Sequence, residues 1–248
     1  MTEISLEGGN TTGVVRVGQT VHRNTGRWSD AVSCLLNTLE QAGVQNVPRH
    51  LGFDQDGREV LTFIDGQVAQ YPLPDWLWDD QILVDAAQLM RRIHDASVSI
   101  AHRQDLVWRL PTHEPVEVIC HNDFAPYNLV FQDRKLVGVI DFDTSSPGPR
   151  IWDLAYLAYR LVPFCEDAGE TVPDSASRGS RLNALIRAYG EDFSRADVLR
   201  VMSARLLELA HWTDDQAQHM NNAELENDAA MYRRDAVRID SIAVSDSQ

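Results

Sequence analysis

Residues 119–128 read Ile119-Cys120-His121-Asn122-Asp123-Phe124-Ala125-Pro126-Tyr127-Asn128, and 13 residues after Asn128 comes Asp141 within Val139-Ile140-Asp141-Phe142-Asp143. Apolar runs flank both polar stretches. Val116 to Cys120, Leu129 to Phe131 and Leu136 to Ile140 read as short strands around loops. The spacing His-x-Asp-x4-Asn, followed by an aspartate, therefore places Asp123, Asn128 and Asp141 at strand ends. Asp and Asn suit turns for purely local reasons. Two such clusters in this order, each beside a β segment, ask for a further explanation.

Toward the N-terminus, glycines divide short β segments from Ser5 to Arg23. Gly8-Gly9-Asn10 and Gly13 precede Val14 to Val17, and Gly18-Gln19 leads into Thr20 to Arg23. Ser29 and Asp30 are expected to cap a helix whose Val32, Leu35, Leu36 and Leu39 repeat at helical spacing, ending at Gly43. His50 to Phe53 and Glu59 to Ile64 read as strands joined through Asp54-Gln55-Asp56-Gly57. The first 64 residues thus give β-β-β-α-β-β.

Asp65-Gly66 and the Tyr71-to-Asp75 stretch break that pattern, and helical periodicity dominates beyond: Asp79–Ala96, Ile151–Leu161, Arg181–Tyr189, Ala196–Trp212 and Glu224–Ile242. Asp167 to Ser180 reads as a surface loop. The expectation is an α+β chain with two lobes: residues 1–64, a small antiparallel sheet with one helix, and residues 65–248, larger and mainly helical.

Composition removes several classes. Residues 1–64 hold five Arg against seven Asp or Glu, and the rest holds 17 basic against 30 acidic residues, giving −2 and −13. A surface this acidic repels phosphate backbones, which argues against a nucleic-acid partner and favours a cationic small molecule. Cys34, Cys120 and Cys165 have no metal or redox spacing, and the eight histidines show no zinc pattern. No apolar run reaches the roughly 18 residues of a membrane span, and Met1 to Asn10 lacks an export signal, so a cytoplasmic protein with no membrane partner is expected.

Phosphoryl transfer from a nucleoside triphosphate needs a carboxylate beside the acceptor hydroxyl and oxygen ligands that hold Mg²⁺ against the phosphates. Asp123, Asn128 and Asp141 offer those groups. Here the chain resembles the aminoglycoside phosphotransferase family of kinase-like enzymes, and within it the compact bacterial, trifolitoxin-immunity-like members. The resemblance covers the His121–Asn128 loop, Ile140-Asp141-Phe142, Gly148 to Tyr156, and Leu51-Gly52 through Ile64-Asp65-Gly66. It implies a protein-kinase-like fold and transfer of the γ-phosphate of ATP or GTP to a hydroxyl of a small metabolite or antibiotic. Asp123 would be the catalytic base, and Asn128 and Asp141 the Mg²⁺ ligands, with Asp143 behind them. Thr62, Phe63 and Ile64, at the lobe junction, would hold the purine. For His121 and Asp153 a structural role is expected.

The chain departs from the family pattern at the strand lysine. Its single lysine, Lys135, lies between Asn128 and Asp141 and cannot serve. Arg23 stands at the lysine position, with Arg16 as the alternative, and a guanidinium can grip phosphate with a planar fork. The helix glutamate that normally pairs with the lysine is also missing, leaving only Asp30 nearby. Candidate acceptor contacts are Glu166, Asp167, Asp174, Glu208, Asp214, Asp215, Glu224, Glu226 and Asp228, with Trp152 and Trp212 as possible aromatic faces. A catalytically silent kinase-like binding or immunity protein is the competing expectation.

Overall fold

The computed structural model describes residues 3–6, 13–166, 168–169 and 172–246. The chain forms two compact units, one of residues 1–68, 92–123 and 127–149, the other of residues 69–91, 124–126 and 150–248.

In the first unit, β1 (Glu3–Ser5), β2 (Val15–Val17), β3 (Thr20–Arg23), β4 (His50–Phe53) and β5 (Glu59–Thr62) make an antiparallel sheet in the order β1-β2-β3-β5-β4. Helix α1 (Ser29–Gln41) lies between β3 and β4 in the chain, so the order is the one the glycine and periodicity signals give. Val32, Leu35, Leu36 and Leu39 are buried along one side of α1 with Ala31. Each buried leucine contributes roughly 1.5–3 kcal/mol, and α1 rests on β4 and on residues 142–144.

The start of α1 differs from expectation. Trp28 is the capping residue and makes no side-chain cap bond. Ser29 is already helical, and its Oγ accepts from the Gly26 N–H at 2.9 Å, bracing the turn before the helix. At the other end Gly43, at φ +79°, lets its N–H reach the Glu40 carbonyl and so stops the helix as expected.

The β4–β5 hairpin turns through Asp54 to Gly57, with Asp54 N–H donating to Arg58 O and Gly57 N–H to Asp54 O. Asp54 organises this turn. Its carboxylate accepts from the backbone N–H groups of Asp56 and Arg58 and from Arg58 Nε, and contacts His22 Nδ1 at 2.8 Å. The His22 contact, with help from Arg58 and the backbone, holds the Asp54 carboxyl well below the usual carboxylate range.

The same unit contains β6 (Gln67–Val68), β7 (Val118–Cys120), β8 (Leu129–Gln132), β9 (Lys135–Val139) and β10 (Ser146–Gly148). β6, β8 and β9 pair in that order, and β7 pairs with β10. Asp133 and Arg134 join β8 to β9 with positive φ at both residues, the type I′ geometry that matches strand twist. β6 and β10 were not expected, because two or three residues carry no readable periodicity. β6 depends on Gly66: at φ +148°, a Cβ there would lie 2.6 Å from the Phe131 carbonyl oxygen.

The second unit is helical. Part of α2 (Asp80–Ser97) belongs to it, with α3 (Arg150–Leu161), α4 (Arg178–Tyr189), α5 (Arg195–Met220) and α6 (Ala223–Asp246). Ser194 caps α5 reciprocally with Asp197, accepting from its N–H and donating to its carboxylate. Asn221, left-handed at φ +48°, ends α5, and Asn222 Oδ1 accepts from the Glu224 N–H to begin α6. α5 and α6 pack on each other and α3 packs on α5. α5 runs past Trp212 because Thr213 and Ala217 continue its buried stripe. The expected loop before Arg181 is shorter than read: Asp174 accepts from the Ala176 N–H, and the turn at Ser175–Ser177 runs into α4 at Arg178. Residues 8–12 of the glycine hairpin and Asp167 lie outside the described residues.

The fold is therefore α+β, an N-terminal antiparallel sheet with one helix followed by a mainly helical C-terminal region. Among the described residues no helix is long and apolar enough to cross a membrane.

A carboxylate whose pKa is lowered on folding stabilises the fold above its unfolded value, and that contribution fades as pH falls below it. Asp54→Asn should accordingly flatten the acid limb of stability below about pH 4, leaving a shallower fall in Tm than the wild type between pH 5 and 2.5. Parallel melting curves for the two proteins would remove Asp54 from this role.

Candidate active site

The residues singled out by spacing meet in the first unit. β7 and β8 deliver the two ends of the His121–Asn128 loop, and β9 delivers Asp141. The two loops are tied by four sets of bonds. Ile140 N–H donates to Asn128 O, and His121 Nε2 lies 3.0 Å from Ile140 O. Thr144 Oγ1 donates to His121 O, while Asn122 Nδ2 donates to Thr144 O and Ser146 Oγ. Asn122 and Asp141 both adopt φ near +65°, the left-handed region that Asn and Asp tolerate best after glycine.

His121 has the structural role expected of it. The Asp123 N–H donates to His121 Nδ1 at 3.2 Å, so that nitrogen is an acceptor and the proton sits on Nε2, which donates to Ile140 O. A neutral imidazole thus holds the Asp123 backbone against the strand end that carries Asp141. Asp153 is fully buried in the first turn of α3, in the second unit.

Asp123 is held from both sides. Tyr127 Oη donates to Oδ1 at 2.6 Å, and Asn128 Nδ2 donates to Oδ2 and to the Asp123 carbonyl, both at 2.9 Å. Both neighbours of the Asn128 nitrogen are acceptors, so its amide orientation is fixed and Oδ1 is turned away from Asp123. Tyr127 was not foreseen. Its position inside the loop, four residues after Asp123, was the available signal.

Arg23 ends β3 directly opposite Glu59 on β5. Its Nε donates to Glu59 Oε2 at 2.7 Å, and its two terminal nitrogens lie 2.7 Å from Asp143 Oδ1 and 3.8 Å from Asp141 Oδ1. Arg23, Glu59 and Asp143 are buried, whereas the Asp141 side chain is half exposed. Burial alone would lower the Arg23 pKa, but Asp143, Glu59 and Asp141 more than offset it and raise it. For Asp143 the balance is reversed: burial pushes its carboxyl up, with Asp141 adding to the effect and Arg23, Trp28 and Arg109 opposing it. Asp30, the one acid near the usual helix position, is not the partner of Arg23. A sheet acid two strands' worth of sequence later takes that place, because cross-strand neighbours in an antiparallel pair face each other.

Arg16, the alternative cation, is committed elsewhere. It stacks on the Phe63 ring at 3.6 Å and donates to Gly18 O, Gln19 and Asp65. Thr62 and Phe63 at the end of β5 have their N–H groups bonded to Arg49 O and Gln19 O. Among the described residues, the Ile64 backbone makes no hydrogen bond.

A divalent cation of the Mg²⁺ type takes hard oxygen ligands. Asn128 Oδ1 and the half-exposed Asp141 carboxylate are of that kind. Asp143 Oδ1 is buried 2.7 Å from the Arg23 guanidinium and is already neutralised by it. The donor set fits.

Removing one member of a buried ion pair leaves its partner uncompensated. Glu59→Gln should cost about 2 kcal/mol, less than for an isolated pair because Asp143 still faces Arg23; a lowered urea midpoint at unchanged slope would show it. An unchanged midpoint would mean that Asp143 and Asp141 suffice.

Comparison with known proteins places this geometry. A family model described as the phosphotransferase enzyme family matches residues 70–199. A trifolitoxin immunity protein from Rhizobium leguminosarum bv. trifolii is 36% identical over 197 residues, covering 76% of this chain and 74% of that protein. Among solved structures, a choline/ethanolamine kinase family protein from Mesorhizobium loti superposes with a TM-score of 0.66 at 16% identity, over 99% of this chain and 92% of that one. A spectinomycin phosphotransferase in complex with ADP and spectinomycin gives 0.63 at 12% identity, over 98% and 93%. With a kinase-like fold, a matching family model and a curated relative in agreement, the chain belongs to the phosphotransferase enzyme family, as a kinase-like enzyme of the small-molecule type.

Proposed function

We propose that this protein transfers the γ-phosphate of ATP or GTP to a hydroxyl of a small metabolite or antibiotic, with Asp123 as the base. The observation that carries this reading is the clamp on Asp123, which Tyr127 and Asn128 hold by one oxygen each while Asn128 Oδ1 is turned away from it.

Asp123 orients the acceptor hydroxyl and takes its proton as the oxygen attacks phosphorus. Asn128 and Asp141 would hold Mg²⁺, which when bound neutralises charge on the phosphates. Arg23 braces Asp143 and reaches toward Asp141, and its Nη1, 3.8 Å from Asp141 Oδ1, is the nitrogen left for phosphate. Thr62, Phe63 and Ile64 line the purine end, with the Ile64 backbone as the group left to pair with a base. Arg23 and Glu59 stand at one end of the β3–β5 pair, and Thr62 at the other, about 10 Å away by strand rise. Residues 1–64 act as the nucleotide-binding lobe and residues 65–248 as the catalytic and acceptor-binding lobe of a cytoplasmic enzyme.

The strongly acidic C-terminal region supports a cationic acceptor. Of the acids considered for that contact, Glu166 and Asp214 are paired with Arg234 and Arg233, and Asp174 caps a turn. Asp215, Glu224 and Glu226 are exposed and are the better candidates. Trp152 is buried against the Arg205 guanidinium, which leaves exposed Trp212 as the aromatic face. The fold likeness to a choline/ethanolamine kinase family protein and a spectinomycin phosphotransferase supports an alcohol acceptor.

A second reading, a catalytically silent kinase-like immunity protein, is favoured by the relative that is named an immunity protein. The two separate on nucleotide. At 100-fold over Kd, Mg²⁺-nucleotide should stabilise an enzyme by about 2.7 kcal/mol, or roughly 5–10 °C in Tm for a chain of this size. No shift at millimolar nucleotide would leave the silent reading standing.

Two substitutions test the roles. Asp123→Asn should keep Mg²⁺-nucleotide binding and slow transfer by ~10² to 10⁴; full turnover on the true acceptor would dismiss Asp123 as the base. Asp141→Ala should weaken nucleotide binding in Mg²⁺ while leaving the metal-free affinity alone, and equal Mg²⁺-dependent affinities would rule the ligand role out.

A further inference from the structure

The second unit contains a cavity of about 480 Å³ between the start of α4 and the middle of α6. Arg178, Arg234 and Arg238 line it against two carboxylates, Glu166 and Asp235. Both acids are already spoken for. Buried Asp235 accepts from Tyr159 Oη at 2.8 Å and from the Glu166 N–H at 2.9 Å, and its other oxygen takes Arg238. Glu166 takes Arg234 through both oxygens, at 3.1 and 3.2 Å.

Arg178 is left over. It makes no hydrogen bond or ion pair among the described residues, and its Nε is buried with nothing to accept its proton. It packs over the Phe164 ring, 5.8 Å from the centroid. It also opens α4, a helix with no acidic residue in its first turn, so a cation sits at the end where the helix dipole is already positive. Burial, and then the neighbouring Arg238, depress the Arg178 pKa more than nearby Cys165, Asp235 and Asp174 raise it. In a chain of formal charge −15, a partly buried guanidinium whose nearby carboxylates, Asp235 and Asp174, are engaged by other donors stands out.

We propose that this cavity binds the oxyanion of a small molecule, a carboxylate or a phosphate, on the fork of Arg178 with Arg238 beside it, its apolar part lying against Ala168 and Val172. Such a ligand supplies a negative charge beside the guanidinium and suits the helix end. The site is made entirely of second-unit residues and owes nothing to the roles given to Asp123, Asn128 and Asp141.

Thermal unfolding of the full chain, titrated with orthophosphate in one arm and propionate in the other at constant ionic strength, tests it. The wild type should show a saturable rise in Tm in the millimolar range in at least one arm, and the arm with the lower midpoint identifies the source of the oxyanion. Arg178→Gln should keep the anion-free Tm and lose the saturable rise, and Arg178→Lys should retain it with a midpoint raised several-fold. A saturable rise that persists unchanged in Arg178→Gln would assign the anion to another cation, such as Arg23, and overturn the proposal. So would the absence of a saturable rise in both arms.

Discussion

A single buried guanidinium ties the sheet to the chemistry. Arg23 is fixed on β3 by its cross-strand partner Glu59, and from that position it meets Asp143 and reaches toward Asp141. Three of these ionic groups, Arg23, Glu59 and Asp143, are buried together, so replacing Arg23 would strand two carboxylates. Trp28 and Arg109 complete the surround: the Arg109 guanidinium lies 4.7 Å over the Trp28 ring, and both favour the ionised form of Asp143. Gly26 makes room for that ring, since a Cβ there would come within 2.5 Å of it. The glycine, the tryptophan and helix α1, which rests on residues 142–144, all bear on where Asp143 stands.

The same economy shapes the two loops. Backbone carbonyls of one loop are satisfied by side chains of the other, so that Asn122, Thr144 and His121 act as rivets between the loops that carry Asp123 and Asp141. The left-handed backbone at Asn122 and Asp141 is part of this arrangement. Loops joined in this way hold their geometry without a ligand, which is what transfer by positioning and electrostatics demands.

Much of this was legible in the sequence, for identifiable reasons. Leucine spacing gave α1, and the Asp-Gly step gave the β4–β5 turn, because both signals are local. Asp123, Asn128 and Asp141 stood out because their spacing reflects a short loop between strands. Glu59 did not, because its partner lies 36 residues away and only strand register brings them together. β6 and β10 escaped for a related reason: strands this short exist only through their neighbours. Ser29 looked like a cap and is instead one residue inside the helix, a shift that local chemistry does not resolve. Arg178, within a stretch that read as loop, gave no sign that its carboxylate neighbours would all be taken.

The long α5–α6 hairpin has a consequence for how the chain assembles. Its two helices meet through the two-residue join at Asn221-Asn222, so their contacts grow outward from residues close in sequence, with little loop entropy to overcome. The ionic cluster is the opposite case, since Arg23 and Asp141 are joined only across more than a hundred intervening residues. Contact order therefore ranks the helical hairpin among the first parts of the chain able to form and the Arg23 cluster among the last. An assembled Arg23 cluster is then itself a report that folding is complete.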